Sequence, residues 1–249
     1  LSFYRFTPIA QEDLEPLRQR LTHALSEIGV LGRIYVATEG VNAQVTCPSH
    51  QLDALRQVCD SFPELNGVTF NLSTEHRRAF RRLAVRVKLK IVSDGMPADT
   101  YDLTREPTYL DAETWHHELS AFADRPTDDA TRPVLLDTRN HYESEIGYFQ
   151  GAERPDVDTF RDFLQEMTQR VASVPKDAPV YMYCTGGIRC SKAGAILRSQ
   201  GWEDVRMLKG GITAYGNYVR QHPELRSLFI GKNFTFDKRL GEAITEDTI

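Results

Sequence analysis

The chain has 249 residues, more than one typical domain needs, and its 41% hydrophobic and 26% charged residues, with no biased tract, are those of a globular protein. A net charge of −5 and a pI near 5.8 exclude nucleic-acid affinity spread over the whole surface, so any such affinity has to come from a local patch. No apolar run approaches the roughly 20 residues that span a bilayer, and four cysteines are too few for a disulfide scaffold. Cys47, Cys59, Cys184 and Cys190 form no CxxC pair, so no metal site is expected. The start, Leu1-Ser-Phe-Tyr-Arg5, does not read as a signal peptide, and the missing initiator Met suggests either processing or a boundary set within a longer chain. A cytoplasmic protein with free thiols is the expectation.

Residues 1–92 alternate strand and helix. Phe3 to Thr7 reads as a strand. Leu14, Leu17, Leu21, Ala24, Leu25 and Ile28 repeat at the spacing of one helix face, and Gly29 supplies a left-handed cap. Gly32–Thr38 and Val41–Thr46 flank Glu39-Gly40 as a hairpin. A second helix carries Leu52, Leu55, Val58 and Phe62 on one face, and Gly67–Leu72 and Leu83–Val92 read as further strands. The order β-α-β-β-α-β predicts a split βαβ sandwich of ferredoxin-like type, with one strand surplus to the minimal pattern.

Residues 93–108 are polar and rich in turn formers, the composition of a linker. From 109 to 222 the pattern is α/β. A helix from about Asp111 turns Trp115, Leu119 and Phe122 inward, and Val134–Asp137 is a short buried strand. A helix over 158–171, a strand at Val180–Tyr183, a helix over 190–200, a strand at Val205–Leu208 and a helix over 212–221 follow. Strands spaced by helices imply a parallel sheet flanked by helices, with ligands beyond the carboxyl ends of the strands. Asp137 and Cys184 both stand at such ends. The extension 223–249 shows no clear element.

The informative stretch is Val180-Tyr-Met-Tyr-Cys184-Thr-Gly-Gly-Ile-Arg189-Cys190. An apolar strand ends at a cysteine, and a loop of Thr185, Gly186, Gly187, Ile188 and Arg189 leads into a helix. Gly186 and Gly187 allow positive φ, so successive N–H groups can converge on an anion. A helix N-terminus and the fixed charge of Arg189 both lower a thiol pKa from its usual ~8.5, so Cys184 is the expected reactive group, able to carry a thiolate or a persulfide. A cysteine phosphatase uses Cys-x5-Arg; this loop is Cys-x4-Arg, a tighter ring that suits a sulfur atom or small anion better than a phosphate, and position 190 holds Cys190 where the phosphatase arginine would fall.

Tyr109 to Val219 resembles a rhodanese domain, through Val134-Leu-Leu-Asp-Thr-Arg-Asn140, Glu143 with Ile146–Ala152, the Cys184 loop, and Met207-Leu-Lys-Gly-Gly-Ile-Thr-Ala-Tyr-Gly216. With Gly32-Arg-Ile-Tyr-Val-Ala-Thr-Glu-Gly-Val-Asn42 before it and Gly231-Lys-Asn-Phe-Thr-Phe-Asp237 after it, nearly the whole chain resembles the rhodanese-containing tRNA uridine hydroxylases. The resemblance implies oxygen-dependent 5-hydroxylation of the wobble uridine of tRNA, with Cys184 in the catalytic position, molecular oxygen as co-substrate and no other cofactor evident. Ala43-Gln44 stands where Gly-Thr is expected, which weakens any role for the hairpin tip. The family often continues into a cysteine-rich tail, so a truncated chain is expected.

Asp137, Arg139 and Cys190 are supporting candidates. The first two could position substrate or tune the thiol, with a structural ion pair as the plainer reading; Cys190 could resolve an oxidised Cys184, although its side chain is expected to point away from the loop. Lys192 is expected to be a solvated surface lysine, and His116 and His117 to lie on the outer side of their helix. Glu75 to Val92 holds seven Arg or Lys against one acidic residue. Within it Leu83, Val85, Val87, Leu89 and Ile91 alternate with Arg86, Lys88 and Lys90, which period two places on the opposite sheet face. Arg77, Arg78, Arg81 and Arg82 precede them. Such a row matches phosphates along an RNA backbone. The alternatives to a tRNA hydroxylase are a sulfurtransferase moving sulfane sulfur from thiosulfate or a related donor, and a catalytically silent docking module.

Overall fold

The computed structural model describes residues 1–73, 79–126, 132–235 and 241–244. It divides into two compact units, Leu1–Ser93 and Asp94–Ile249.

The first unit contains β1 (Ser2–Phe6), α1 (Leu14–Glu27), β2 (Leu31–Ala37), β3 (Gly40–Thr46), α2 (Leu52–Asp60) and β4 (Leu83–Val87). The sheet order is β1-β3-β2-β4; β3 runs antiparallel to both its neighbours and β4 runs parallel to β2. Leu14, Leu17, Leu21 and Leu25 of α1 are buried against Phe3, Ile34, Val36, Val41, Ala43, Val45 and Val85 of the sheet. Each such side chain removed from water contributes about 1.5–3 kcal/mol. The sandwich is thus the expected ferredoxin-like one, with corrections at two strands. The fourth strand of the pattern, expected over Gly67–Leu72, is reduced to a single antiparallel bridge from Asn71 to Ser2 on the outer side of β1. The surplus strand ends at Val87, not Val92. Past Val87 the period-two reading fails: Leu89 is 95% exposed, whereas Ile91 is buried. The cause lies in two polar residues of the β2–β3 hairpin. The Glu39 carboxylate accepts from the Ile91 and Val92 N–H groups at 2.7 and 3.4 Å, and the Asn42 amide donates to the Ile91 carbonyl at 3.2 Å. These bonds take the segment out of the strand ladder.

The second unit holds β5 (Thr108–Leu110), α3 (Ala112–Ser120), β6 (Val134–Asp137), α4 (His141–Ser144), β7 (Gly147–Phe149), α5 (Phe160–Arg170), β8 (Val180–Tyr183), α6 (Ile188–Ser199), β9 (Val205–Leu208), α7 (Gly211–Gln221), β10 (Phe229–Asn233) and β11 (Glu242–Ala243). Its main sheet is wholly parallel, in the order β5-β9-β8-β6. All four residues of β8 are buried, as a strand covered on both faces requires. Trp115 and Leu119 of α3 pack with Phe149, Tyr181, Tyr183, Tyr215 and Phe229 in one aromatic-rich core, and Asp111 caps α3 by accepting from the Thr114 N–H.

Four expectations are corrected here. The stretch after Ser93 is not loose: Asp94 is buried, its carboxylate takes the Lys192 ammonium at 2.9 Å and the Tyr101 hydroxyl at 2.6 Å, and Lys192 is a fully buried partner, not a solvated surface lysine. The extension is structured where described. β10 pairs antiparallel with β7, a strand too short to show a period, and β11 pairs with β10. His116 is tied into the fold through an Nδ1–Tyr215 hydroxyl bond of 2.9 Å. Among the described residues no helix is long and apolar enough to cross a membrane.

Candidate active site

β8 lies between β6 and β9, so its carboxyl end opens at the middle of the parallel sheet and delivers Cys184 there. The chain turns through Thr185, Gly186 and Gly187 and enters α6 at Ile188, two residues before the expected start. Gly187 takes φ +100°, a conformation that a side chain disfavours, and serves as the N-cap. The turn points its N–H at the thiol: Gly187 donates to Cys184 Sγ at 3.0 Å. Cys184 is 1% exposed. Burial on its own raises the thiol pKa. The Cys190 thiol, the Arg189 charge and the N–H groups of Cys190 and Gly187 together outweigh it and pull Cys184 down to about 5. Cys190 is the counterpart: burial and the neighbouring Cys184 push its thiol well up, so it stays a neutral donor. The expectation that Cys190 points away from the loop is corrected. Its side chain faces Cys184 and also meets Thr138 Oγ1 at 3.3 Å, because the first turn of α6 winds back over the strand end.

Arg189 is oriented by Glu143, which sequence reasoning did not single out as a site residue. Its two guanidinium nitrogens donate to the two Glu143 oxygens at 2.6 and 2.8 Å, a bidentate geometry that fixes the plane of the group. Glu143 is fully buried, also accepts from the Asn140 N–H at 3.1 Å, and takes the Thr185 hydroxyl at 3.4 Å. Its burial acts to raise its pKa, but Arg189 and Arg139 hold the carboxyl below the usual range. The spacing Asn140-x-x-Glu143, a helix-start signature, was the legible signal.

Asp137 and Arg139 form a structural pair. Arg139 donates from Nε and Nη2 to the two Asp137 oxygens at 2.8 and 2.6 Å, and reaches the Gly147 carbonyl at 2.6 Å and the Glu143 carbonyl at 3.3 Å. Both side chains are buried. Their contribution is to hold α4, hence Glu143, hence Arg189.

The far side of the loop is fixed by the start of α7. The Ile212 N–H donates to the Cys184 carbonyl at 2.9 Å, and the Thr213 N–H and hydroxyl to the Thr185 carbonyl at 3.2 and 3.1 Å. Gly211 stands at φ +63°, and a Cβ there would lie 2.4 Å from the Cys184 carbonyl oxygen. The Gly210-Gly211 pair before an apolar helical run was the sequence signal for this clamp.

Of the basic residues, Arg86 and Lys88 lie on the outer face of the first unit's sheet, and Lys88 Nζ sits 5.5 Å from the Tyr35 ring. Arg81 and Arg82 are exposed just before β4. Lys90 is half-buried beyond the strand end, so it does not continue the row. Arg77 and Arg78 lie outside the described residues.

Two family models match the chain: a UPF0176 acylphosphatase like domain over residues 1–91 and a Rhodanese-like domain over 118–218. Curated relatives named tRNA uridine(34) hydroxylase match along its whole length. The one from Leptospira interrogans is 41% identical, that from Pectobacterium carotovorum 39%, and that from Escherichia fergusonii 39%. The chain spans 65%, 67% and 68% of those relatives, about two thirds of their length. A solved rhodanese-like domain from Anabaena sp. is 27% identical over 45% of this chain and 75% of its own, at a TM-score of 0.35.

Proposed function

Because the chain belongs to the tRNA uridine(34) hydroxylase family, we propose that it hydroxylates C5 of the wobble uridine of tRNA, with Cys184 as the catalytic group. The observation that carries this reading is the Cys184 sulfur at the end of the central strand, which accepts from the Gly187 N–H at 3.0 Å and lies in the field of the Arg189 charge, both of which lower its pKa. A thiolate is the reactive form of cysteine. Added to C6 of uracil, it makes C5 electron-rich and open to attack by an oxidant; expelled afterwards, it restores the ring.

Molecular oxygen is the co-substrate in this reading. One oxygen atom enters the C5–H bond, and the second leaves as water after accepting two electrons and two protons from two thiols of an external reductant, which become a disulfide. The anticodon loop presents its bases unpaired, so no duplex has to be melted. Arg81, Arg82, Arg86 and Lys88 of the first unit supply phosphate contacts, and the reaction belongs to the cytoplasm, where tRNA is the available substrate.

A sulfurtransferase would use the same loop to hold a persulfide and would have no need of the basic strand. The names of the full-length relatives favour the hydroxylase. The test is mass spectrometry of tRNA nucleosides from cells lacking the protein, complemented with the wild-type chain or with Cys184→Ser. The expected result is 5-hydroxyuridine at position 34 restored by the wild type alone. Restoration by the serine variant sinks the assignment.

A further inference from the structure

One aromatic side chain, next in sequence to the carboxylate that holds the cysteine loop, has no part in the chemistry above. Tyr142 lies on α4 immediately before Glu143, and it is 39% exposed although most large rings of this unit are buried. Its orientation is set from two sides. The Asn140 amide donates to the Tyr142 hydroxyl at 2.9 Å. The Phe234 ring meets it nearly edge-on, with centroids 5.4 Å apart and planes at 69°. Both rings are coupled to the Cys184 loop by the residue next to them. Glu143 contacts Thr185 and Arg189. Asn233 donates to the Thr213 hydroxyl at 3.4 Å, and that hydroxyl donates to the Thr185 carbonyl. The Asn233 side-chain oxygen is buried and has no hydrogen-bond partner among the described residues.

An exposed ring held at a fixed angle, on a helix whose next residue bonds the cysteine loop, has the geometry of a stacking surface. A base taken out of its own stack loses its neighbours on both faces, and enzymes acting on such bases replace them with aromatic side chains. We propose that the Tyr142 ring, fixed by Asn140 and Phe234 at the edge of the Cys184 loop, is the surface on which the target uridine stacks. The inference rests on the tRNA reading above and adds to it the residue that holds the base. Tyr142 is a positioning residue: it aligns the ring whose C6 faces the sulfur.

The test uses the full chain and two anticodon stem-loop RNAs, one with uridine at the target position and one abasic there, with affinity read by fluorescence anisotropy. For the wild type, removing the base is expected to weaken binding between about 5- and 150-fold, the range of one base–aromatic stack. Tyr142→Phe keeps that difference, because the ring stays. Tyr142→Ala reduces it to less than about twofold while leaving alkylation of Cys184 at the wild-type rate, which shows the loop intact. A Tyr142→Ala chain that still separates the two RNAs as the wild type does overturns the proposal. A second measurement needs no substitution: 5-iodouridine at the target position is expected to photo-cross-link to Tyr142, and cross-linking confined to other residues also overturns it. A wild-type chain that binds neither RNA overturns the tRNA reading itself, a result distinct from either of these.

Discussion

At Cys184 two opposing effects meet on one atom. Burial of a charge without compensation raises a thiol pKa by as much as 3–5 units. Here the sulfur is buried and yet lowered to about 5, so the surrounding donors and the guanidinium more than offset the lost hydration. The sign for reactivity follows. A thiol with the ordinary pKa near 8.5 gains about tenfold in alkylation rate per pH unit up to that value. Cys184 is already ionised above about pH 6, so its rate with iodoacetamide should be flat from pH 6 to 9 and fall only below about 5. A profile still climbing at pH 8 would show that the N–H groups do not hold an anion. Glu143 gives a second residue-scale prediction. Changing it to Gln leaves the guanidinium of Arg189 without its bidentate carboxylate in a buried place, and breaking such a pair costs roughly 3–5 kcal/mol. Thermal unfolding of Glu143→Gln should show a large drop in midpoint; a shift of a degree or less would mean that solvent reaches the pair.

Elements place these residues through their ends. β8 delivers the sulfur, the start of α6 supplies N–H groups to it, and the start of α7 takes the loop carbonyls. Each junction uses a glycine where the backbone must do what a side chain forbids. Gly211→Ala puts a Cβ 2.4 Å from the Cys184 carbonyl at a positive φ, so the loop or the helix start has to move. The expected outcome is a destabilisation above about 1 kcal/mol and a Cys184 thiol whose pKa rises toward ordinary values, read by the same alkylation profile. Wild-type behaviour in both would show that the close approach is dispensable. The element scale is also where the sequence was hardest to read. α4 has four residues and β7 three, too few to show a period. Yet Glu143 sits on the one, and the other gives β10 its ladder.

At the scale of the whole molecule, the charge balance is −5, and the basic run in the first unit stands against it. Only part of that run has the expected layout. Arg86 and Lys88 face outward, whereas the strand stops at Val87 and Lys90 leaves the row. If phosphates are held there, Arg86→Ala and Lys88→Ala together should weaken tRNA binding and lower the slope of log affinity against log salt by about 1.4 to 1.8, each contact releasing roughly 0.7–0.9 counterions. Cys184 alkylation should not change, since its groups belong to the second unit. An unaltered salt slope would remove this strand from the RNA contact surface.

Local pattern was enough to define the two folded units, the parallel sheet and Cys184 at a strand end. Periodicity, glycine pairs and the spacing of Cys184 from Arg189 are encoded within a few consecutive residues. What only the tertiary structure decided joins residues far apart in the chain: Glu143 against Arg189, Asp94 against Lys192, Asn71 beside Ser2, and β10 beside β7. The physical reason is the same in each case. A buried charge or an unpaired strand edge demands a partner, but local sequence does not specify which distant residue will supply it.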